Sequence, residues 1–305
     1  MKVSVAMATY NGMKYIEKQL DSIRLQYIMP DEVIICDDAS SDGTADFVKE
    51  YIEKYSLFGW QLFVNEENLG FKKNFLKALS KTQGEYIFLS DQDDIWQKEK
   101  IEKVLAVMEK NSDILSLCSS FDYIDENDEL LNFKSKENTS NHGLINKKTE
   151  IGELIKIPFK TVLHSNIAPG CATVIRKELK ERFVGYSKSI IAHDWEVNLL
   201  SASEKGLYFL NEPLILYRIH SNNTLGLNSA SKDRLGIAKE KLDGASALLS
   251  YGGFEAFYEM QKKREEILNN KKFLSVLGLF FSNMQYMKNY SIKEKIGDIL
   301  FTLKK

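Results

Sequence analysis

A repeated break constrains this chain most. Four short apolar runs, Val3 to Ala8, Glu32 to Cys36, Trp60 to Val64 and Tyr86 to Leu89, each stop abruptly at a polar, turn-forming segment. Between them, core-type residues recur at helical spacing: Tyr15, Ile16, Gln19, Leu20 and Ile23, then Phe47, Val48, Tyr51, Ile52 and Tyr55, then Phe71 to Leu79. Strands alternating with helices of this length predict an α/β fold with a mostly parallel central sheet and right-handed crossovers. In such a sheet the four breaks lie along one edge. Thr9-Tyr10-Asn11, Asp37-Asp38, Asn68-Leu69-Gly70 and Asp91-Gln92-Asp93-Asp94 then share the crevice where open α/β sheets bind ligands.

The last break is the sharpest. Leu89-Ser90-Asp91-Gln92-Asp93-Asp94-Ile95-Trp96 passes from a buried strand to three carboxylates within four positions, and the helix-favouring run Gln97 to Lys110 follows Trp96. Capping of that helix explains one Asp or two. Three carboxylates together are costly unless a cation or backbone N–H groups balance them. The pattern therefore predicts a hard-metal site, since Mg²⁺ typically takes one or two carboxylates plus substrate phosphates. No G-x-G-x-x-G follows the first strand and no P-loop lysine motif is present, which disfavours dinucleotide-binding and ATPase readings.

With 305 residues, 44% of them hydrophobic, the chain can bury the core of one large domain or two. A formal charge of −2 gives no pull toward nucleic acid. Cys36, Cys118 and Cys171 are odd in number, far apart and in or beside apolar runs, so they read as buried thiols in a reducing cytosol. No basic segment leads into a long apolar one at the start, and no run reaches 18 apolar residues. Neither a signal peptide nor a spanning helix is expected, and the expected location is cytoplasmic.

In the second half, Ile114 to Ser119 reads as a strand and Phe121 to Glu129 as a strand end entering a turn. The polar stretch Asn132 to Lys148 is a loop, either ordering over a substrate or simply mobile. His164 to Ala172 is a loop entering another strand, with Gly170 serving close backbone approach or an ordinary turn. Ala192-His193-Asp194-Trp195 opens a helix that Val197, Leu199 and Leu200 continue; an acid there also suits the helix dipole. Glu212 to His220 is the last clear strand, running into Ser221-Asn222-Asn223-Thr224. From about Ser231, Leu235, Ala238, Leu242, Ala245 and Leu249 recur at helical spacing, and Met260–Leu268 and Lys271–Met287 continue the pattern. Residues 262–305 carry ten Lys/Arg against four Asp/Glu, which fits an anionic membrane surface, a dimerising hairpin or a core-covering one.

"VSVAMATYNG", "VIICDDASSDGT", "NLGFKKNF" and "GEYIFLSDQDDIWQKEKI", in this order over about a hundred residues, resemble the family 2 glycosyltransferases of the Rossmann-like GT-A fold. The resemblance covers roughly residues 1–225, and "AHDW" is similar to a bacterial rhamnosyltransferase-like branch. It implies a GT-A domain over 1–228, with a nucleotide-sugar-binding half (1–112) and an acceptor-binding, catalytic half (113–228), followed by a helical extension over 229–305. Thr9, Tyr10, Asn11 and Asp38 would hold the base and ribose, with Gly70, Lys72 and Asn74 approaching the nucleotide from the third loop. An aromatic face for Tyr10 and a turn-forming or imide-binding role for Asp38 both suit the chemistry. Asp91, Gln92 and Asp93 match the D-x-D motif, with Asp93 and His220 on a divalent cation, Mg²⁺ or Mn²⁺. An isolated His is otherwise more often structural.

The resemblance makes Asp194 the general base of a single inverting displacement on the anomeric carbon. Asp94, Trp96, Gly170, His193 and Trp195 would face the acceptor. The expected partners are a dTDP- or UDP-sugar donor, L-rhamnose foremost, and a glycan or lipid-linked glycan of the cell surface. The enzyme would sit in the cytoplasm, with peripheral contact at the inner membrane face through the C-terminal helices. Two other classes compete. A nucleotidyltransferase would carry a Gly-rich, Arg/Lys-bearing loop after the first strand, which Thr9-Tyr10-Asn11-Gly12 lacks. A non-catalytic sugar or nucleotide binder would have no need of both Asp93 and Asp194.

Overall fold

A computed structural model describes residues 2–132, 137–163, 165–220 and 233–303. The chain divides into two compact units: Met1–Gly185 with Ala192–Thr224, and Tyr186–Ile191 with Leu225–Lys305. The first unit opens with the expected alternation: β1 (Val3–Thr9), α1 (Ile16–Arg24), β2 (Glu32–Asp37), α2 (Thr44–Lys54), β3 (Trp60–Val64), α3 (Phe71–Lys81) and β4 (Tyr86–Ser90). These four strands are parallel in the order β3-β2-β1-β4. All six residues of β2 and all five of β4 are buried, which is why Val33 to Cys36 and Tyr86 to Leu89 read as unbroken apolar runs.

Then follow β5 (Ile95–Trp96), α4 (Lys100–Lys110), β6 (Ser116–Ile124), β7 (Leu130–Leu131), β8 (Leu154–Lys156), α5 (Phe159–Val162), β9 (Thr173–Arg176), α6 (Lys177–Tyr186), α7 (His193–Ser203) and β10 (Leu207–Arg218). They extend the sheet to β3-β2-β1-β4-β9-β6-β10-β5, with β7 beside β6 and β8 beside β10. Strand β9 lies antiparallel between β4 and β6, and β10 runs parallel to β6. The sheet is thus mostly parallel, and both halves of the unit deliver strand ends to one edge.

Three boundaries differ from expectation. Helix α4 begins at Lys100 and not at Gln97, because the pairing of Ile95 and Trp96 with Leu216 and Ile215 continues through Gln97, whose N–H donates to Leu214 O (3.0 Å). Strand β6 runs unbroken through Phe121 to Ile124. Strand β10 starts at Leu207, five residues before the expected Glu212, because register shifts around Pro213 absorb a residue that cannot donate to a ladder. In the polar stretch, Ser140 bridges Ile145 around a short turn, while residues 133–136 lie outside the described residues. So do His164 and Ser221 to Thr224.

The second unit carries α8 (Arg234–Leu249), α9 (Glu255–Asn269), α10 (Phe273–Ser282), α11 (Met284–Asn289) and α12 (Ile292–Leu303). Asp233 caps α8 by accepting from Gly236 N (2.7 Å), and Asn283 caps α11 by accepting from Tyr286 N (3.0 Å). Inside the unit, Arg264 and Asp298 form an ion pair, each side chain 1% exposed. Asp298 also accepts from Tyr286 Oη (2.6 Å) and Arg234 Nη1 (2.8 Å). No helix among the described residues is long and apolar enough to cross a membrane.

Candidate active site

The parallel strands bring the first three loops together. Thr9 Oγ1 donates to Asp37 Oδ2 (2.7 Å), binding the end of β1 to the end of β2. Asn11, at φ +48°, accepts from Ser41 N through Oδ1 (2.9 Å), while its own N–H donates to Ser40 Oγ (2.8 Å). Gln92 clasps the Tyr10 backbone, its Oε1 accepting from Tyr10 N (2.7 Å) and its Nε2 donating to Tyr10 O (3.0 Å). The Tyr10 side chain stays about half exposed, its ring open to a ligand. Gln92 therefore ties the first loop to the acidic one.

Asp38 is buried and accepts from Asn65 Nδ2 (2.7 Å), Leu69 N (2.8 Å) and Gly70 N (2.9 Å). Gly70 sits at φ +81°, a conformation that favours glycine, and this lets the loop fold back over Asp38. Buried Asn74 extends the network, donating to Cys36 O (2.8 Å) and accepting from Asn65 Nδ2 (3.0 Å). Lys72 lies half-buried in the first turn of α3. Asn65 is the organiser that the sequence reading missed; a lone Asn at a strand end carries no pattern.

The acidic loop is held from β10. Arg218, fully buried, donates its backbone N–H to Asp94 Oδ1 (3.0 Å), its Nε to Asp93 O (2.7 Å) and its Nη1 to Asp125 O (2.9 Å). It also pairs with Asp128 (2.5 Å) and lies 4.7 Å from the Tyr15 ring centre. His220 Nε2 meets Asp93 Oδ2 at 2.9 Å, and its ring stacks on Tyr15. Asp91, Asp94 and the Cys171 thiol bring one ligand-type atom each within 4.8 Å of one another. Asp94 Oδ2 is buried and takes no hydrogen bond among the described residues.

Burial raises the Asp94 carboxyl to about 7, helped by the charge of Asp93. Asp91 is also pushed well up, by burial first and then by Asp94, Asp93 and Asp194. Beneath them Lys100 is fully buried, donating to Cys171 O (2.7 Å), and burial lowers its ammonium to about 7. Burial and mutual repulsion thus disfavour the charged forms of Asp91 and Asp94, which a cation would relieve. Lys100 was not singled out from sequence, and Cys171 was read there only as a buried thiol, which it is. Two expectations need correcting: Asp94 (1% exposed) and Trp96 (2% exposed) face the interior, not an acceptor. Asp94 is turned in by the Arg218 N–H, and Trp96 packs under the Lys100 ammonium, 3.6 Å from its ring centre.

On the other side stands Asp194, in the first turn of α7. Its Oδ2 accepts from Asn166 Nδ2 (2.9 Å) and its Oδ1 from Trp195 N (2.8 Å). Asn166 is held in turn by Asn198 Nδ2 (2.9 Å), and Asn198 by Ser116 Oγ (3.0 Å). A relay of neutral amides therefore orients the carboxylate without adding a cation. Trp195 Nε1 donates to Val162 O (2.8 Å). His193 is buried and stacked on Phe75 (3.8 Å, 18°), and neither ring nitrogen has a hydrogen-bond partner among the described residues; burial lowers its pKa. Gly170 lies against this pair, for a Cβ there would come 2.9 Å from His193 Nε2 and 3.5 Å from Asp194 Cβ.

A sheet of this topology with a D-x-D loop at its parallel edge is that of the GT-A glycosyltransferases, and solved structures agree. Staphylococcus aureus TarS 1–349 in complex with UDP-GlcNAc superposes with a TM-score of 0.60 at 19% identity, covering 100% of this chain and 82% of that one. The mannosyltransferase PcManGT from Pyrobaculum calidifontis, in complex with GDP-Man and Mn²⁺, superposes with a TM-score of 0.52 at 17% identity, covering 99% and 87%. The sequence profile described as "Glycosyl transferase family 2" matches residues 4–183, and the chain belongs to that family. Among relatives, the dTDP-rhamnosyl transferase RfbG of Shigella flexneri is 29% identical over 250 residues, 77% of this chain and 80% of its own. This protein is a glycosyltransferase of the class that works on nucleotide-sugar donors.

Proposed function

We propose that the protein is an inverting, cation-dependent glycosyltransferase that moves L-rhamnose from dTDP-rhamnose to a hydroxyl of a cell-surface glycan or lipid-linked glycan. The observation that carries the chemistry is an acidic loop whose Asp91 and Asp94 are raised by burial and by neighbouring carboxylates, close enough to the amide-held carboxylate of Asp194 for that charge to act on Asp91. The donor residues suit a divalent cation: hard carboxylate oxygens, a histidine nitrogen, and the buried, unpartnered Asp94 Oδ2. Asp93 and His220 would hold it. When bound, such a cation offsets the charge of the departing nucleoside diphosphate.

The chain's own residues supply the rest. Tyr10 offers its exposed ring to the base, and Asn11 with the Asp38–Gly70 network shapes the nucleotide cradle. Asp194 takes the proton from the acceptor hydroxyl as that oxygen bonds to the anomeric carbon; the bond to the diphosphate breaks, and its electron pair leaves with the nucleotide. His193, Trp195 and Gly170 shape the acceptor side. On this reading residues 1–228 are the catalytic domain and 229–305 an extension. RfbG supports dTDP-rhamnose, while a UDP-sugar donor is the second reading, favoured by the UDP-GlcNAc complex of TarS.

The test is nucleoside diphosphate release from dTDP-rhamnose, UDP-glucose, UDP-galactose and UDP-N-acetylglucosamine, with Mn²⁺ or with EDTA. Release from dTDP-rhamnose that EDTA and Asp93→Ala abolish supports the proposal; release from a UDP-sugar alone moves it to the second reading. Asp194→Asn should stop transfer while leaving Mn²⁺-dependent nucleotide binding in calorimetry intact. If no dTDP or UDP binding is measured with Mn²⁺ present, the proposal fails.

A further inference from the structure

Helix α12 is built inside out. Its buried residues are Lys295, Asp298 and Thr302, whereas Ile292 (69% exposed), Ile296 (47%), Leu300 (54%) and Leu303 (56%) face outward. Spacings of four, four and three place those four side chains on one helix face. A helix packed on a globular core in water does the reverse. The inward polar face is stabilised by the second unit's ion network, in which Asp298 meets Arg264, Arg234 and Tyr286, and Glu294 meets Lys241. The apolar face is therefore a fixed consequence of the fold, and not a frayed end.

The neighbouring helices continue it. On α10, Leu274 (78%) and Phe281 (74%) are exposed with Gly278 between them, again one face. On α11, Met284 (80%) and Met287 (53%) are exposed. The charges here have one sign. Between residues 271 and 303 the only carboxylates are Glu294 and Asp298, both tied to cations, while Lys271, Lys272, Lys288 and Lys293 are exposed. Exposed apolar side chains gathered on helices that pack against one another, as α10 does on α11 and α12, mark an interaction site.

We propose that the outward face of α10–α12 lies on an anionic lipid bilayer, its Met, Phe, Ile and Leu side chains in the headgroup–acyl boundary and its lysines on the headgroups. Amphipathic, lysine-bearing helices bind such surfaces in plane. No described helix is long enough to span, so the contact is peripheral. A second copy of this chain suits the face less well. An isologous pairing would set four lysines against the same four, with no exposed carboxylate of this segment to answer them.

The experiment is vesicle flotation of the whole chain with phosphatidylcholine vesicles, with and without phosphatidylglycerol. Each lysine near an anionic surface is worth about fivefold in partitioning, so phosphatidylglycerol should raise the bound fraction at least tenfold, and high salt should reverse it. Phe281→Glu with Leu300→Glu should abolish flotation, and Lys288→Glu with Lys293→Glu should weaken it by about tenfold or more. Both variants should keep the wild-type melting temperature and nucleoside diphosphate release in solution, which separates this proposal from the donor reading. Flotation that ignores lipid charge and both variants overturns it. So does no flotation together with a dimer, seen by light scattering, that Phe281→Glu dissociates; that result would assign the face to a second copy.

Discussion

Gly170→Ala tests the proposed acceptor side most directly. The new Cβ would stand 2.9 Å from His193 Nε2 and 3.5 Å from Asp194 Cβ. An unstrained contact needs about half an ångström more at the first of these. His193 cannot retreat, because its ring lies flat on Phe75 at 3.8 Å. The displacement therefore passes to the Gly170–Ala172 turn or along α7 to Asp194. Overpacking of this kind costs about 1–3 kcal/mol, and a misplacement of about 1 Å in a reacting group costs roughly a hundredfold in rate. A shift of half that size predicts about a tenfold fall in the transfer rate. Initial rates and thermal melts of Gly170→Ala, His193→Ala and the double variant measure it. In the double variant the imidazole is gone, so the added stability penalty of the alanine should largely disappear. A Gly170→Ala enzyme with wild-type rate and melting temperature refutes the reasoning. So does a penalty that persists undiminished without the imidazole.

Two further predictions concern the acidic loop. The Asp94 carboxyl, raised to about 7, holds a proton in the folded metal-free enzyme at pH values where an unfolded Asp has lost it. That contribution falls as pH rises from about 4 toward 7, so in EDTA Asp94→Asn should gain stability relative to wild type between pH 5.5 and 7.5, and melts that stay parallel across this window would contradict it. Arg218→Ala leaves Asp93 O and Asp125 O without their guanidinium donor; with its partner Asp128 still partly exposed, the loss should be about 3 kcal/mol by denaturant titration. Mn²⁺ binding, read by calorimetry, should weaken in the same variant, and unchanged Mn²⁺ affinity would separate Arg218 from the site.

What could be read from the sequence depended on how local the cause was. The strands β1 to β4 and the helices between them follow from runs of a few residues, and so does the placing of their loops on one edge. The start of β10 did not, because Asn211-Glu212-Pro213 has the composition of a break and only pairing with β6 makes it strand. Asp91 to Asp94 were legible as an acidic cluster, but not their division of labour. Asp94 turns inward because a backbone N–H from Arg218 reaches it across the sheet, and Asp93 outward to meet His220. Lys100, Asn65, Asn166 and Asn198 carry no sequence pattern, and Cys171 reads only as a buried thiol; each matters at the site only through a partner distant in the chain.

The clamp of β10 on the acidic loop has a consequence for how the enzyme is made. Asp93 and the Arg218 guanidinium that fixes its carbonyl are 125 residues apart in the chain. At the usual pace of translation, the ribosome needs on the order of ten seconds to travel from one to the other. Through that interval the nascent sheet can assemble β1 to β4 with its carboxylates unclamped. The acidic loop is therefore among the last parts of its unit to reach its final form during synthesis, and a nascent chain stalled before Arg218 would carry that loop unclamped.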